Sequence, residues 1–588
     1  MTKTSVGQLL PVLRWAKNYN RATLVEDVIA ALVITMMLIP QSLAYALLAG
    51  LPPQLGLYAS MLPLLAYALF GSSGPLSVGP FAITSIMTAT ALGSAFSTPE
   101  LGTTLSNDQY IMGAAVLAAM SGGFLLAFGI FRLGFLTNFI SFPVVTGFIS
   151  ASALVIASSQ FGNILGIELD TSSFFNVLSS TFQNISELNT YTLMIGLSAF
   201  IFLFFFPKLL NLFIFKITQS RFLAETLSKT TPLLAMLVSI LAVFFWDLSK
   251  QGIVVVGDIP AGLPSIALPD VQSMHWESAT WKSLASSALL ISIIGFVSSL
   301  SAAQSFAAKQ RQRINPNQEA VALGMSNLTS GISGAFPVSA SLSRSAVNFK
   351  AGAKTPAASG FTAIGIAISG LFLTPYLFYL PVATLAAMIL VAVLSLFDFK
   401  AIQRTWEFNR KDFSALMVTM VVTLASGVEW GLISGVLLSI GLHLYRSSHP
   451  YVAILGRVPT TEHFRNVERY NVITHPEVVS FRIDASLYFA NARFLEDKVN
   501  ELVASHPDAK HLVLMCYSIN DIDASALETL FEINQYLKDA NMKFHLSEVK
   551  GPILDRLKRS NFLDQLSGNL YLSHYQAWTD LTGLPLKN

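Results

Sequence analysis

The sequence predicts an all-α polytopic membrane domain followed by a small α/β domain of soluble character. Three observations predict it. Apolar residues make up 53% of the 588 and charged residues only 12%, and the mean hydropathy is +0.57, which no soluble chain of this length shows. The apolar stretches are continuous runs of about 20 residues, the length of a helix that crosses the hydrocarbon core, and they do not alternate as barrel strands do. Near Arg446 the composition turns polar, and strand-like and helix-like patterns follow one another to the C-terminus.

The same composition narrows the function classes. A net charge of +2 and the lack of a basic helix with interleaved aromatics give no support to nucleic-acid binding. One cysteine, Cys516, excludes an internal disulfide and a cysteine-based metal site. The histidines are scattered, so the sequence points to no metal and no cofactor. No nucleophile–base pair or phosphate loop argues for an enzyme. Residues 1–23 lack the apolar core and cleavage site of a signal peptide. Leu9, Leu10, Leu13 and Trp15 with Arg14, Lys17 and Arg21 predict a short helix on the cytoplasmic surface.

The first half of the chain holds seven apolar runs, near 24–48, 54–71, 78–95, 109–131, 134–160, 190–207 and 231–246. The second half holds seven more, near 280–306, 318–335, 341–350, 356–376, 381–397, 412–427 and 430–446. The third run of each set is short or interrupted, and each follows a Pro-x-Ser: Pro75-Leu76-Ser77 and Pro337-Val338-Ser339. Two interrupted spans at matching places mark a transporter site, and an odd number of spans per half inverts the second repeat. Loop charge sets the orientation. With the N-terminus inside, cytoplasmic loops hold Arg132, Lys208, Lys216, Arg221, Lys229, Lys309, Arg311, Arg313, Lys350, Lys354, Lys400, Arg404, Arg410 and Lys411. The opposite loops hold Lys250 and Lys282 against Glu100, Asp108, Glu168, Asp170, Glu187, Asp258, Asp270 and Glu429. Both termini are therefore expected in the cytoplasm, and the membrane domain over 24–446.

The stretch Gly334–Val347 carries the chemistry. Pro337 ends any upstream helix, and Ser339 or Ser341 can cap a new one, with Arg344 in its first turn. A cation at membrane depth costs roughly 3 kcal/mol, so it is expected to face a cavity or a partner. Free amides, hydroxyls and a guanidinium at one point make an anion site. Ser341, Arg344 and Ser345 share a side of that helix, with Ser343 one residue's rotation away. In 74–87, Gly74, Gly79 and two prolines break the chain before a short helix beginning near Phe81; read alone, this is more simply an ordinary loop-to-helix turn, and its pairing with 337–347 is what favours a site. Gln41 and Tyr45, four apart beside Pro40, share a helix face. They either line a cavity or bond to a neighbouring helix, and the residues leave both open. The eighth run, 290–309, carries Ser298, Ser299 and Ser301 but no carboxylate, so the coupling ion (proton, sodium or a counter-anion) is open. Glu26 and Asp27 read as a solvated helix end.

The segment 447–588 predicts strands at 478–483, 511–517 and 542–548, alternating with helices at 492–506, 524–540 and 551–560. Asp523 is expected to cap the second helix, with Ser525 in its first turn. A phosphate on Ser525 is the alternative use of that helix end.

Taken together, IPQSLAYALLAGLPPQLGLYAS, SVGPFA, VVGDIPAGLP and SLSRSAVNFKAG resemble the signatures of the sulfate permease (SulP) family of anion transporters. SLYFANARFLEDKV with DIDASALETL resembles a STAS domain, and the likeness covers nearly the whole chain. The resemblance implies fourteen spans as two inverted repeats, with core and gate halves, and half-helices in spans three and ten. It also implies a homodimer in the lipid bilayer and a cytoplasmic STAS domain that can engage a protein partner. Gln41, Tyr45, Phe81, Ser343 and Arg344 are the substrate-binding candidates it carries over. Proton-coupled sulfate members carry a glutamate where Ser298 stands, and sodium–bicarbonate members an aspartate in that span; both are missing here. Ser525 stands where related STAS domains are phosphorylated. The expected function is secondary transport of a small inorganic or carboxylic anion by alternating access, across the cell membrane. Sulfate ranks first, then bicarbonate, chloride and small dicarboxylates, with exchange or uncoupled movement as alternatives. A nucleobase–cation symporter would carry carboxylates on spans eight and ten and lack the soluble tail. A regulatory scaffold would transport little.

Overall fold

The computed structural model describes residues 10–96, 107–135, 141–170, 173–260, 262–266 and 276–584. Leu9, Glu100, Asp270 and residues 136–140 of the fifth run lie outside the described residues. The chain divides into two compact units, Met1–Ser439 and Ile440–Asn588.

Every predicted apolar run is helical over most of its described residues, so the fourteen spans are present as two sets of seven. Span 1 is Arg21–Leu48, capped by the Asn20 side chain, which accepts from Thr23 N at 2.9 Å, and it contains Pro40. Span 2 is Gln54–Tyr58 with Leu62–Phe70, span 4 Asn107–Ile130, span 5 Phe142–Ser159, span 6 Thr190–Thr218 and span 7 Thr231–Phe245. Span 8 is Ser278–Lys309, span 9 Pro316–Ile332, span 11 Ala357–Phe372, span 12 Val382–Leu394, span 13 Arg410–Ser426 and span 14 Val428–Ser448. Before span 1 a short helix, Val12–Trp15, stands where the N-terminal pattern predicts one.

The packing shows the inversion. Span 4 packs on span 9 as span 11 packs on span 2, and span 5 on span 13 as span 12 on span 6. Spans 4 and 9 meet backbone to backbone: a Cβ on Gly122 would lie 2.9 Å from Gly324 O, and one on Gly324 would lie 3.0 Å from Gly122 O. Close approach through small residues is how helices associate where lipid offers no hydrophobic drive.

Spans 3 and 10 are the exceptions in length. Each opens as a two-residue strand, β1 (Val78–Gly79) and β2 (Ser339–Ala340), and continues as a short helix, Ala82–Phe96 or Leu342–Ala351. The second helix has 10 residues, and at about 1.5 Å per residue it covers half of a hydrocarbon core about 30 Å thick. β1 and β2 pair antiparallel, Val78 opposite Ala340 and Gly79 opposite Ser339. Equivalent strands paired head to tail are what an inverted repeat requires.

The second unit is a six-stranded sheet in the order β4-β3-β5-β6-β7-β8. The strands are β3 (Val452–Arg457), β4 (Phe464–Asn466), β5 (Val478–Ile483), β6 (His511–Met515), β7 (Lys543–Ser547) and β8 (Leu570–Tyr571). β5 to β8 run parallel, and β3 and β4 add antiparallel edges. Helices Ala492–Ser505, Ala524–Asp539 and Gly551–Arg559 make the crossovers, as parallel pairing demands. They bury Leu495, Val499, Leu530, Ile533 and Leu557 against Phe481, Leu512 and Phe544. In β7, His545 Nδ1 accepts from Asn569 N at 2.9 Å. That fixes the proton on Nε2, which faces His511 Nδ1 at 3.1 Å. Burial lowers the pKa of His545, and that of the buried His574, to about 4.

Candidate functional site

The two broken spans meet at the β1–β2 ribbon. Beyond its ladder, Ser341 N donates to Ser77 O at 3.1 Å, and Ser77 N donates to Ser345 Oγ at 2.9 Å. Two neighbouring spans and span 10 itself hold the ribbon. From span 8, Ser299 Oγ accepts from Ala340 N at 3.0 Å and meets Ser339 Oγ at 2.9 Å. From span 9, the Asn327 amide bonds both ways to Val338, with Val338 N donating at 2.9 Å and Val338 O accepting at 3.0 Å. In span 10 itself, Asn348 Nδ2 donates to Pro75 O at 3.1 Å. These bonds put the starts of both half-helices at one point. The first-turn N–H groups there have no intrahelical acceptor, and the positive dipole ends converge.

Ser341 caps the second half-helix, accepting from Arg344 N at 3.4 Å. Arg344 is fully buried. Its Nη1 donates to Pro80 O at 2.7 Å and to Gln41 Oε1 at 3.4 Å, while Nε and Nη2 have no partner. Among the described residues no carboxylate pairs with it. Five of the thirteen orphaned buried polar atoms among the described residues lie on these two broken spans: Arg344 Nε and Nη2, Ser77 Oγ, Ser85 Oγ and Asn348 Oδ1. Buried polar groups are almost always paired, so such a cluster asks for a ligand. Gly79 sits beside the guanidinium with φ 144°, and a Cβ there would lie 3.6 Å from Nη2.

The sequence candidates divide into three groups. Gln41, Phe81 and Arg344 come together at the ribbon, with Tyr45 one turn along from Gln41 and close enough to Arg344 to interact electrostatically. Ser343 is exposed, its hydroxyl 3.1 Å from that of Ser341, while Ser341, Arg344 and Ser345 are buried. Ser298 is half-buried and lines an apolar crevice of about 20 Å³ with Ile83, Phe148, Val297 and Leu432. In the second unit Asp523 caps its helix, accepting from Ala526 N at 2.9 Å, and Ser525 beside it is exposed.

One expectation fails. Asp27 is not a solvated helix end; it is fully buried. It accepts from Lys354 N at 2.8 Å, Thr355 N at 3.2 Å, Thr355 Oγ1 at 2.6 Å and Tyr19 OH at 3.2 Å. The four donors replace its hydration and tie span 1 to the 10–11 loop. Sequence reasoning also missed Asn327, and it named Ser299 among the serines of the eighth run without giving it a role. A lone buried amide in an apolar span was the available signal for Asn327. For Ser299 it was the small-residue face it shares with Gly295, four residues earlier.

Comparison with known proteins follows the same lines. The sulfate permease family model matches residues 24–419, and the STAS domain model residues 469–577. The chain is 31% identical over 575 residues to sulfate transporter 3.1 of Arabidopsis thaliana, covering 96% of this chain and 85% of that protein. It is 32% identical over 568 residues to the probable sulfate transporter MT1781 of Mycobacterium tuberculosis, covering 96% of each. Its fold is similar to that of the murine Solute Carrier 26 family member A9 anion transporter in the inward-facing state. That match has a TM-score of 0.85 at 21% identity, over 99% of this chain and 95% of the other.

Proposed function

The chain belongs to the sulfate permease family, and from that premise we propose that it carries a small divalent oxyanion, sulfate first, by alternating access. The family is one of membrane anion transporters and not of enzymes. The observation that carries the substrate site is Arg344, a fully buried cation with two unpartnered nitrogens where both half-helices begin. A tetrahedral oxyanion there accepts from Nε, Nη2 and the first-turn amides and offsets the cost of burying the charge. Gln41 and Tyr45 line the approach, Phe81 walls it, and the exposed Ser343 hydroxyl receives the anion from the accessible side. The relatives named as sulfate transporters support sulfate over bicarbonate or chloride.

A second reading concerns coupling. Span 8 carries no carboxylate from Ser278 to Lys309, and Ser298 offers no titratable group. Exchange against a counter-anion, or uncoupled movement, therefore fits better than proton or sodium symport. Membership of the family removes the nucleobase–cation reading. We place the membrane domain at 24–446, after an N-terminal segment at 1–23, and the STAS domain at 447–588. Both termini lie on the cytoplasmic side of the cell membrane, and the assembly is a homodimer. Ser525 is accessible for phosphorylation, although Asp523 already holds that helix end and would repel a phosphate.

Uptake of labelled sulfate, bicarbonate and chloride into proteoliposomes, with and without proton, sodium and counter-anion gradients, tests the substrate and the coupling. Sulfate uptake that needs a counter-anion inside is the expected result; no uptake of any of the three refutes the reading. Uptake retained after deletion of 447–588 excludes a pure scaffold.

A further inference from the structure

A cavity of about 890 Å³ opens in the first unit, at the end of the helix bundle where span 1 begins. Five separate segments build it: the N-terminal helix, the 2–3 turn at Ser72, the end of span 4, the 8–9 loop and the 10–11 loop. Four cations line it, Arg14, Arg132, Arg313 and Lys354, and no acid does. All four are exposed.

Two buried carboxylates that touch or adjoin lining residues are already spent. Asp27 touches the 10–11 loop but is buried under four donors. Glu319 follows the lining residue Gln318, yet it too is buried, accepting from Tyr67 OH at 2.9 Å, from Ser72 N at 3.1 Å and from the Ser72 hydroxyl. Neither can neutralise the cavity. Trp15, on the cavity wall, holds an indole N–H that is buried and has no acceptor. Ile130 and Val321 supply an apolar flank beside the cations.

We propose that this cavity binds a phosphate-bearing anion, separate from the transported one. Four cations around one opening suit a phosphate better than a monovalent ion. The apolar flank suits a phosphate tethered to a lipid, and a soluble pyrophosphate presents the same charge to the same residues.

The full-length protein in phosphatidylcholine nanodiscs tests it. Phosphatidylglycerol is mixed into the nanodisc in one arm, and inorganic pyrophosphate is added to the buffer in the other. The reading is the thermal midpoint together with tryptophan fluorescence. A response to phosphatidylglycerol assigns the headgroup, and a response to pyrophosphate assigns the free anion; either supports the site. Arg14→Gln with Arg313→Gln weakens the response roughly tenfold or more. If that pair does not fold, Arg132→Gln with Lys354→Gln replaces it. The response persists in Arg344→Gln. No response to either probe, an unchanged response in the glutamine variants, or loss of the response in Arg344→Gln overturns the proposal.

Discussion

Replacing Arg344 by methionine removes the charge while keeping most of the side-chain volume. Two of its nitrogens have no partner in the chain, and the third bonds to Pro80 O and Gln41 Oε1. Taking one partner from a buried charged pair costs about 3–5 kcal/mol, so the variant should bind the anion about 10²-fold to 10⁴-fold more weakly. The unliganded protein should respond in the opposite sense. An uncompensated buried cation is a burden on the fold, so without anion the variant should melt no lower than the parent. Two assays therefore separate binding from folding: concentration-dependent sulfate uptake in proteoliposomes, and thermal unfolding with and without sulfate. Loss of both uptake and the sulfate-induced rise in Tm, with the sulfate-free Tm held, is the expected outcome. Unchanged uptake refutes the role of Arg344, and a sharp fall in the sulfate-free Tm shows it to be a structural pillar instead.

Gly79→Val strains a position at φ 144° and pushes a branched side chain at the guanidinium; uptake should fall at least tenfold, with Tm lowered by the equivalent of about 1–3 kcal/mol. Ser299→Ala leaves Ala340 N without its acceptor and should cost about 1–3 kcal/mol in thermal unfolding, whereas Ser298→Ala should leave Tm unchanged. In the second unit, His545 and His574 titrate near 4 when folded and near 6.5 when unfolded. Their folded values are depressed, so stability is full above about 6.5 and is lost as pH falls towards 4. Between pH 7 and 5 the loss should be about 2 kcal/mol from His574, and about half that from the less enclosed His545 once solvent screening is allowed for. Urea unfolding of the 440–588 unit measures it, and a flat profile contradicts the burial argument.

The spans were legible because a bilayer imposes a length, and that length is written in runs of apolar residues. The broken spans were legible because Pro75 and Pro337 interrupt those runs, and Arg344 because a guanidinium there has no ordinary excuse. What held the ribbon together was not. Span 8 reads Ser298-Ser299-Leu300-Ser301, and nothing local says which hydroxyl faces β2. Glu319 finds its donors at Tyr67 and Ser72, far away in the chain, so no pattern around it announces them. Asp27 looked like a charge at a wet helix end because its partners, Lys354 and Thr355, arrive from the other half. The strand β4 was missed because it is three residues long, and β3 because it follows the apolar end of span 14 with only His449-Pro450-Tyr451 between.

The ribbon of spans 3 and 10 has one more consequence. Its two strands are stitched to each other, and the span-10 strand with Val338 before it to spans 8 and 9, by backbone amides that lose their partners if the stitch opens. A pore that parted the half-helices would break the ladder, the Ser341–Ser77 bond and the Ser77–Ser345 bond together. An intact ribbon therefore keeps the starts of the two half-helices together as one cradle, whichever of the surrounding helices shifts.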